Sequence, residues 1–236
     1  MRLWQLVRFD LRYLWRHRAY AVYIPVCAAY IALLAALPED WRQRVLVLLT
    51  LSDPAAIGLL LAGAITLLER HQGVWDGLFA TPVRLAEYVL ARCLALGCLS
   101  VAAAWTIHLP SAGWPASPLQ FTLGTALSSV FFSLLGLAAA ARCRTINGLL
   151  LLVQLYALPF TLPLLAYVGW LESPLLQLLP TAGALLLLDG AQERVEWAHA
   201  AGAIGLLAIW IGAASWHVLW LLRRTVRVYD GGAAHE

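Results

Sequence analysis

Polar and apolar positions divide this chain into long apolar runs separated by short polar breaks. Residues 2–18 open with basic and apolar positions interleaved. Arg8, Arg12 and Arg16 share one helical face, and Leu3, Leu6, Val7, Leu11, Leu14 and Trp15 supply another. That pattern predicts an amphipathic helix lying in a membrane interface, with its arginines toward anionic headgroups. The apolar runs that follow predict six spans, at 19–37, 45–68, 86–109, 119–141, 148–171 and 195–222. Each is long enough, at about 1.5 Å per residue, to approach the roughly 30 Å of a hydrocarbon core. A polar turn (38–44), a proline-rich loop (110–118) and a short basic loop (142–147) separate some of them. Residues 172–194 are apolar but broken by Pro174, Pro180, Gly183 and Asp189-Gly190, which predicts short re-entrant or interfacial helices.

The fold class expected is therefore an all-α integral membrane protein. Residues 1–18 form its cytoplasmic interfacial helix, 19–222 a single six-span domain, and 223–236 a polar cytoplasmic tail. Of 236 residues, 62% are hydrophobic and only 12% charged, against about half and a quarter in soluble domains. All sixteen basic residues are arginine. With both termini inside, thirteen arginines face the cytoplasm, leaving Arg42, Arg44 and Arg194 outside. The positive-inside rule selects that orientation in a cell membrane. No cleavable signal peptide is expected, because no A-x-A site follows the first apolar run. The net charge of +3 is too small to argue for nucleic acid, and the lipid bilayer is the expected surface partner.

The most polar stretch between the chain ends, 69–92, runs from the end of span two into the first turns of span three. Val74, Trp75, Leu78 and Phe79 recur at helical spacing, and Thr81-Pro82 ends the helix because proline disfavours helical geometry before it. Acidic Glu87 then falls in the first turns of span three. A short amphipathic helix held between two spans on the cytoplasmic side predicts a docking element within 69–84. Trp75, Leu78 and Phe79 are its expected anchors.

Span two carries a second irregularity, Ser52-Asp53-Pro54. Asp before Pro is a good helix N-cap, so the chain is expected to bend or restart its helix here. Alternatively Asp53 faces a water-filled path, as intramembrane carboxylates often do. Span five holds Gln154, Tyr156, Thr161 and two prolines (Pro159, Pro163), unusual polarity for a lipid-exposed helix. In span four, Gly124, Ser128, Ser129, Ser133 and Gly136 recur at three- and four-residue intervals and favour close helix packing.

The sequence argues against several chemistries. A P-loop requires a lysine, and this chain has none. No serine sits in a nucleophile motif, and His108, His199 and His217 are isolated. Cys27, Cys93, Cys98 and Cys143 show no ligand spacing and read as buried thiols. The chain is expected to have no catalytic site, metal or cofactor of its own.

The segment LLERHQGVWDGLFATPVRLAEYVLARCL resembles the permease subunits of type-2 ABC exporters. Glu69, Arg70, Gly73, Thr81, Pro82 and Glu87 match the family pattern in order and spacing. The preceding SDPAAIGLLLAGAITLLER resembles the fluoroquinolone-export branch. The resemblance implies that 69–84 couples to an ABC ATPase, through Glu69, Arg70, Gly73, Trp75, Leu78, Phe79, Thr81, Pro82 and Glu87. It further implies two ATPase copies carrying ATP and Mg, and a second permease copy or paralogue. A hydrophobic or amphipathic small molecule would pass along spans one, two and five, with Asp53, Gln154, Tyr156 and Thr161 as path candidates. A haem-exporter-type permease of cytochrome c maturation, or a six-span enzyme or scaffold with no ATPase, are the alternatives.

Overall fold

The structure, a computed structural model, describes residues 2–16, 19–79, 83–171, 173–190 and 195–232. Those residues are almost entirely helical and contain no strand. The elements are α1 (Arg2–Arg16), α2 (Ala19–Ala36), α3 (Glu39–Ala56), a π segment (Ile57–Leu61), α4 (Ala62–His71) and α5 (Val74–Phe79). They continue with α6 (Leu85–Ala112), α7 (Pro118–Arg142), α8 (Ile146–Tyr167), a 3-10 turn (Pro174–Leu178), α9 (Pro180–Asp189) and α10 (Trp197–Gly232).

Five helical stretches are long and apolar enough to cross a membrane: Trp41–His71, Leu85–Ala112, Pro118–Arg142, Ile146–Tyr167 and Trp197–Thr225. The apolar α2 is shorter, 18 residues or about 27 Å. Arg42 closes its end, donating from Nε to the Leu34 carbonyl at 3.1 Å and from Nη2 to the Leu37 carbonyl at 3.3 Å. The intervening turn is tighter than the sequence pattern predicts, since α3 already begins at Glu39.

At the centre stands α7, and its small residues explain why. Gly136 packs against the Gly58 and Leu59 carbonyls, and Gly58 against the Ser129 carbonyl and Ser133 amide, so closely that a Cβ at either glycine would collide with backbone. This contact places the π segment directly against α7. Ser129 of α7 also shares a buried hydrogen bond of 2.9 Å with Ser100 of α6. Small side chains and interhelical hydroxyls are what bring helices together where lipid removes the hydrophobic drive.

Two boundaries differ from expectation. The helix does not restart at Asp53-Pro54: it runs unbroken from α3 through the π segment into α4. Pro54 withdraws one backbone donor, and the wider π turn accommodates the irregularity one turn later. Packing against α7 keeps the segment helical despite the local capping signal. At the other end, α10 continues through Arg223 and Arg224 to Gly232, into the stretch expected to be a tail. The broken helices before the last span appear as the 3-10 turn and α9, and their bounds agree with the proline positions.

Candidate functional site

The last turn of α4 places Glu69 inside the protein, where it is 6% exposed. A carboxylate so deeply buried needs partners, and α6 provides two of them one turn apart. Arg92 donates from Nη2 to Glu69 Oε1, and the Tyr88 hydroxyl donates to Glu69 Oε2 at 2.6 Å. Having given its only proton to Glu69, the Tyr88 oxygen accepts from Thr66 Oγ1 at 3.3 Å. Helix α1 closes the cluster from the other side: Asp10 Oδ2 lies 3.4 Å from Arg92 Nε. One guanidinium thus stands between two carboxylates on α1 and α4. Removing Arg92 or Glu69 from the buried pair they form is costly, because the partner is left uncompensated.

Asp10 sits at the edge of this balance. Burial pushes its carboxyl up to about 6 from the usual 3.8, Arg92 pulls it back down, and Glu69 pushes it further up. Burial therefore outweighs the attraction of the guanidinium.

The turn into α5 is built over the same cluster. Gly73 adopts φ +67°, a left-handed conformation that glycine takes without steric cost, and reverses the chain after α4. Trp75 follows, 5% exposed, its ring edge-to-face with Tyr88 at 6.1 Å. The Arg70 guanidinium lies 5.5 Å from the Trp75 ring centre, close enough for a cation–π contact. Its Nη1 donates to the Ala140 carbonyl at 2.9 Å and the Cys143 carbonyl at 3.4 Å, satisfying the free end of α7. At the start of α6, the Arg84 amide donates to Glu87 Oε2 at 3.0 Å, so Glu87 closes the first turn of that helix.

Glu69, Arg70, Gly73, Trp75 and Glu87 are therefore gathered around one turn. Trp75 departs from its expected part as an outward anchor: it faces inward, packed on Tyr88, while Val74 is 40% exposed. Leu78 and Phe79 belong to α5, but their side chains lie outside the described residues, as do Thr81 and Pro82 altogether. Asp10, Tyr88, Arg92 and Thr66 were not legible as site residues from sequence. The available hint was that Asp10 is the lone acid in an arginine-rich helix.

The expected path residues do not form one site. Asp53 is 2% exposed within α3 and is not a helix cap. Gln154 and Thr161 lie on the exposed side of α8, and Thr161 Oγ1 donates to the Leu158 carbonyl of its own helix. Tyr156 is half-buried, 3.5 Å from His217 of α10. Among the described residues, no group of three or more His, Cys, Asp or Glu is placed to hold a metal ion.

Comparison with known proteins agrees with the resemblance in the 52–94 region and extends it over the chain. Two curated relatives from Mycobacterium tuberculosis, one from strain CDC 1551 / Oshkosh and one from strain H37Rv, are both named fluoroquinolones export permease protein. Each is 25% identical over 170 residues, covering 72% of this chain and 72% of the relative. The family model described as the fluoroquinolones export permease protein family matches residues 1–228. Its long apolar helices and this match make the chain a multi-pass membrane protein, and it belongs to the fluoroquinolones export permease protein family.

Proposed function

We propose that this chain is the transmembrane subunit of an ATP-driven ABC exporter that moves a hydrophobic or amphipathic small molecule out of the cell. The names of its relatives support a drug-like, fluoroquinolone-type substrate. In this reading α2 is the first of six spans, both termini are cytoplasmic, and two permeases, identical or paralogous, pair with two ATPase subunits. ATP and Mg reside on those subunits, and the permease has no catalytic site. The second permease copy is expected to meet the first through α2 and α8.

The observation that carries the proposal is the buried joint at the α4–α5–α6 turn. A helix of six residues cannot hold its shape alone in water. Here Trp75, Arg70 and Tyr88 fix it to the ends of three spans, α4, α6 and α7. A displacement of α5 by a closing ATPase would therefore move the Trp41–His71 and Leu85–Ala112 helices as levers. Because Trp75 is used inward, the partner groove is left to Leu78 and Phe79, with Val74 beside them.

The test is the double substitution Leu78→Ala with Phe79→Ala. Interface anchors of this kind commonly cost about 2 kcal/mol or more on truncation. The variant is expected to insert normally while losing the co-purifying ATPase or its substrate-stimulated hydrolysis. Unchanged ATPase binding and turnover would place the docking element elsewhere.

A further inference from the structure

Asp53 is a buried carboxylate that the joint at the α4–α5–α6 turn does not use. It lies midway along the Trp41–His71 helix, and its Oδ2 has no hydrogen-bond partner. The ion pairs among the described residues join Arg92 to Asp10 and Glu69, and His199 to Glu196; none includes Asp53. One turn away, Thr50 Oγ1 is also buried and without a partner. Pro54 adds to this set, since it has no N–H to offer the Thr50 carbonyl.

Across from Asp53 stands α2. Tyr23, Cys27 and Tyr30 occupy one face of that helix, and all three are within electrostatic reach of Asp53. The region thus collects a buried carboxylate oxygen with no partner and two phenol rings, while His108 lines the small cavity beside Thr50 rather than Asp53. An acceptor-rich, uncompensated site in an apolar span is complementary to a donor that carries positive charge. Aromatic faces add to the attraction for such a cation.

The wall over this site is thin. Between Tyr23 and Ala36 only Cys27 and Leu34 are buried, so α2 is held along a single edge. Pro25 removes one backbone bond within it. By contrast, α6 and α7 are joined directly by the buried Ser100–Ser129 hydrogen bond. The thinly held α2 is the wall that a ligand would part to reach Asp53.

We propose that Asp53, with Tyr23 and Tyr30 facing it, binds an amphipathic cation that presents N–H donors, such as an alkyl- or arylamine. This builds on the export reading and assigns the charge class of the molecule carried. The ligand's N–H groups would pair with Asp53 Oδ2, and its apolar body would lie between α2 and α3.

The full-length chain in lipid nanodiscs provides the test, by fluorescence titration with ethidium, a permanent cation bearing aryl amines, and with Nile red, a neutral dye. Wild type is expected to bind ethidium saturably. Asp53→Asn is expected to weaken ethidium at least about tenfold, as for the loss of a hydrogen bond to a charged group, while leaving Nile red unchanged. Asp53→Glu, which keeps the charge, should retain ethidium binding. If Asp53→Asn does not fold, the double variant Tyr23→Leu with Tyr30→Leu serves instead, with a several-fold selective loss of ethidium expected. Equal ethidium affinity in wild type and the variants, equal weakening of both dyes, or no saturable ethidium binding by wild type overturns the site. ATP-driven export is read separately in vesicles. Export that persists without Asp53-dependent binding removes the site alone, and Asp53-dependent binding without any export removes the export reading alone.

Discussion

Two sets of buried polar groups sit about 24 Å apart along the same Trp41–His71 helix, and they are wired in opposite ways. At its C-terminal end, Glu69 is matched on both oxygens, by Arg92 and Tyr88, and Asp10 and Thr66 extend the network to α1 and back to α4. Near its middle, Asp53 and Thr50 have buried oxygens with no partner. A satisfied network resists rearrangement, because any movement of one member strands another. An unsatisfied carboxylate has the opposite property, and its free energy improves when something arrives. One helix therefore carries a satisfied ionic joint at one end and an unfilled position at its centre, the arrangement expected if the proposed export reading holds.

The largest effect is expected from Arg92→Met. It leaves Asp10 and Glu69 facing each other in a buried space with no cation, a loss of about 3–5 kcal/mol. The variant should give little folded protein, measured as monodisperse yield after detergent extraction. Normal yield and melting would mean that the joint contributes nothing to the fold.

A smaller and more specific loss is expected from Tyr88→Phe, which keeps the ring under Trp75 but removes the hydroxyl between Thr66 and Glu69. Losing a buried hydrogen bond to a carboxylate should cost about 1.5–3 kcal/mol, read as a lowered melting temperature of the purified chain. An unchanged melting temperature would show that Glu69 does not depend on this bond.

The effect of Asp10 appears only over a pH window, and its sign is set by pH. Its folded-state value of about 6 lies above the ordinary 3.8, so the folded chain holds this proton more tightly than the unfolded one. The stabilising contribution is complete below 3.8 and is lost as pH rises through about 6. Melting curves of wild type and Asp10→Asn should diverge over that window, wild type losing stability relative to the variant as pH rises. A difference independent of pH would place the Asp10 proton elsewhere.

Much of this architecture was legible because the long helices are mostly apolar runs with polar ends. The α5 turn was legible too, since Gly73 and the periodic 74–79 segment report local geometry. Asp53-Pro54 misled because capping preference is local, whereas the helix is held through that point by Gly136 and Gly58 packing on distant backbone. The ionic joint was hidden for a similar reason. Arg92 and Asp10 are far apart in sequence, and neither spacing nor composition encodes their meeting. Arginine near a span's cytoplasmic end reads first as a topology signal, and here it is a buried partner for two carboxylates. Trp75 shows the same limit: amphipathic spacing identified the helix but not which of its bulky residues turns inward.

The contrast between joint and unfilled position is tested most directly by the melting temperatures of Glu69→Gln and Asp53→Asn, measured side by side on the purified full-length chain without ligand. Both substitutions neutralise one buried carboxylate on the same helix and change almost nothing else. Glu69→Gln is expected to melt several degrees below wild type, because Arg92 loses a charged partner, and Asp53→Asn to melt at or above the wild-type temperature, because no partner is lost. Equal and substantial destabilisation by both would contradict the account.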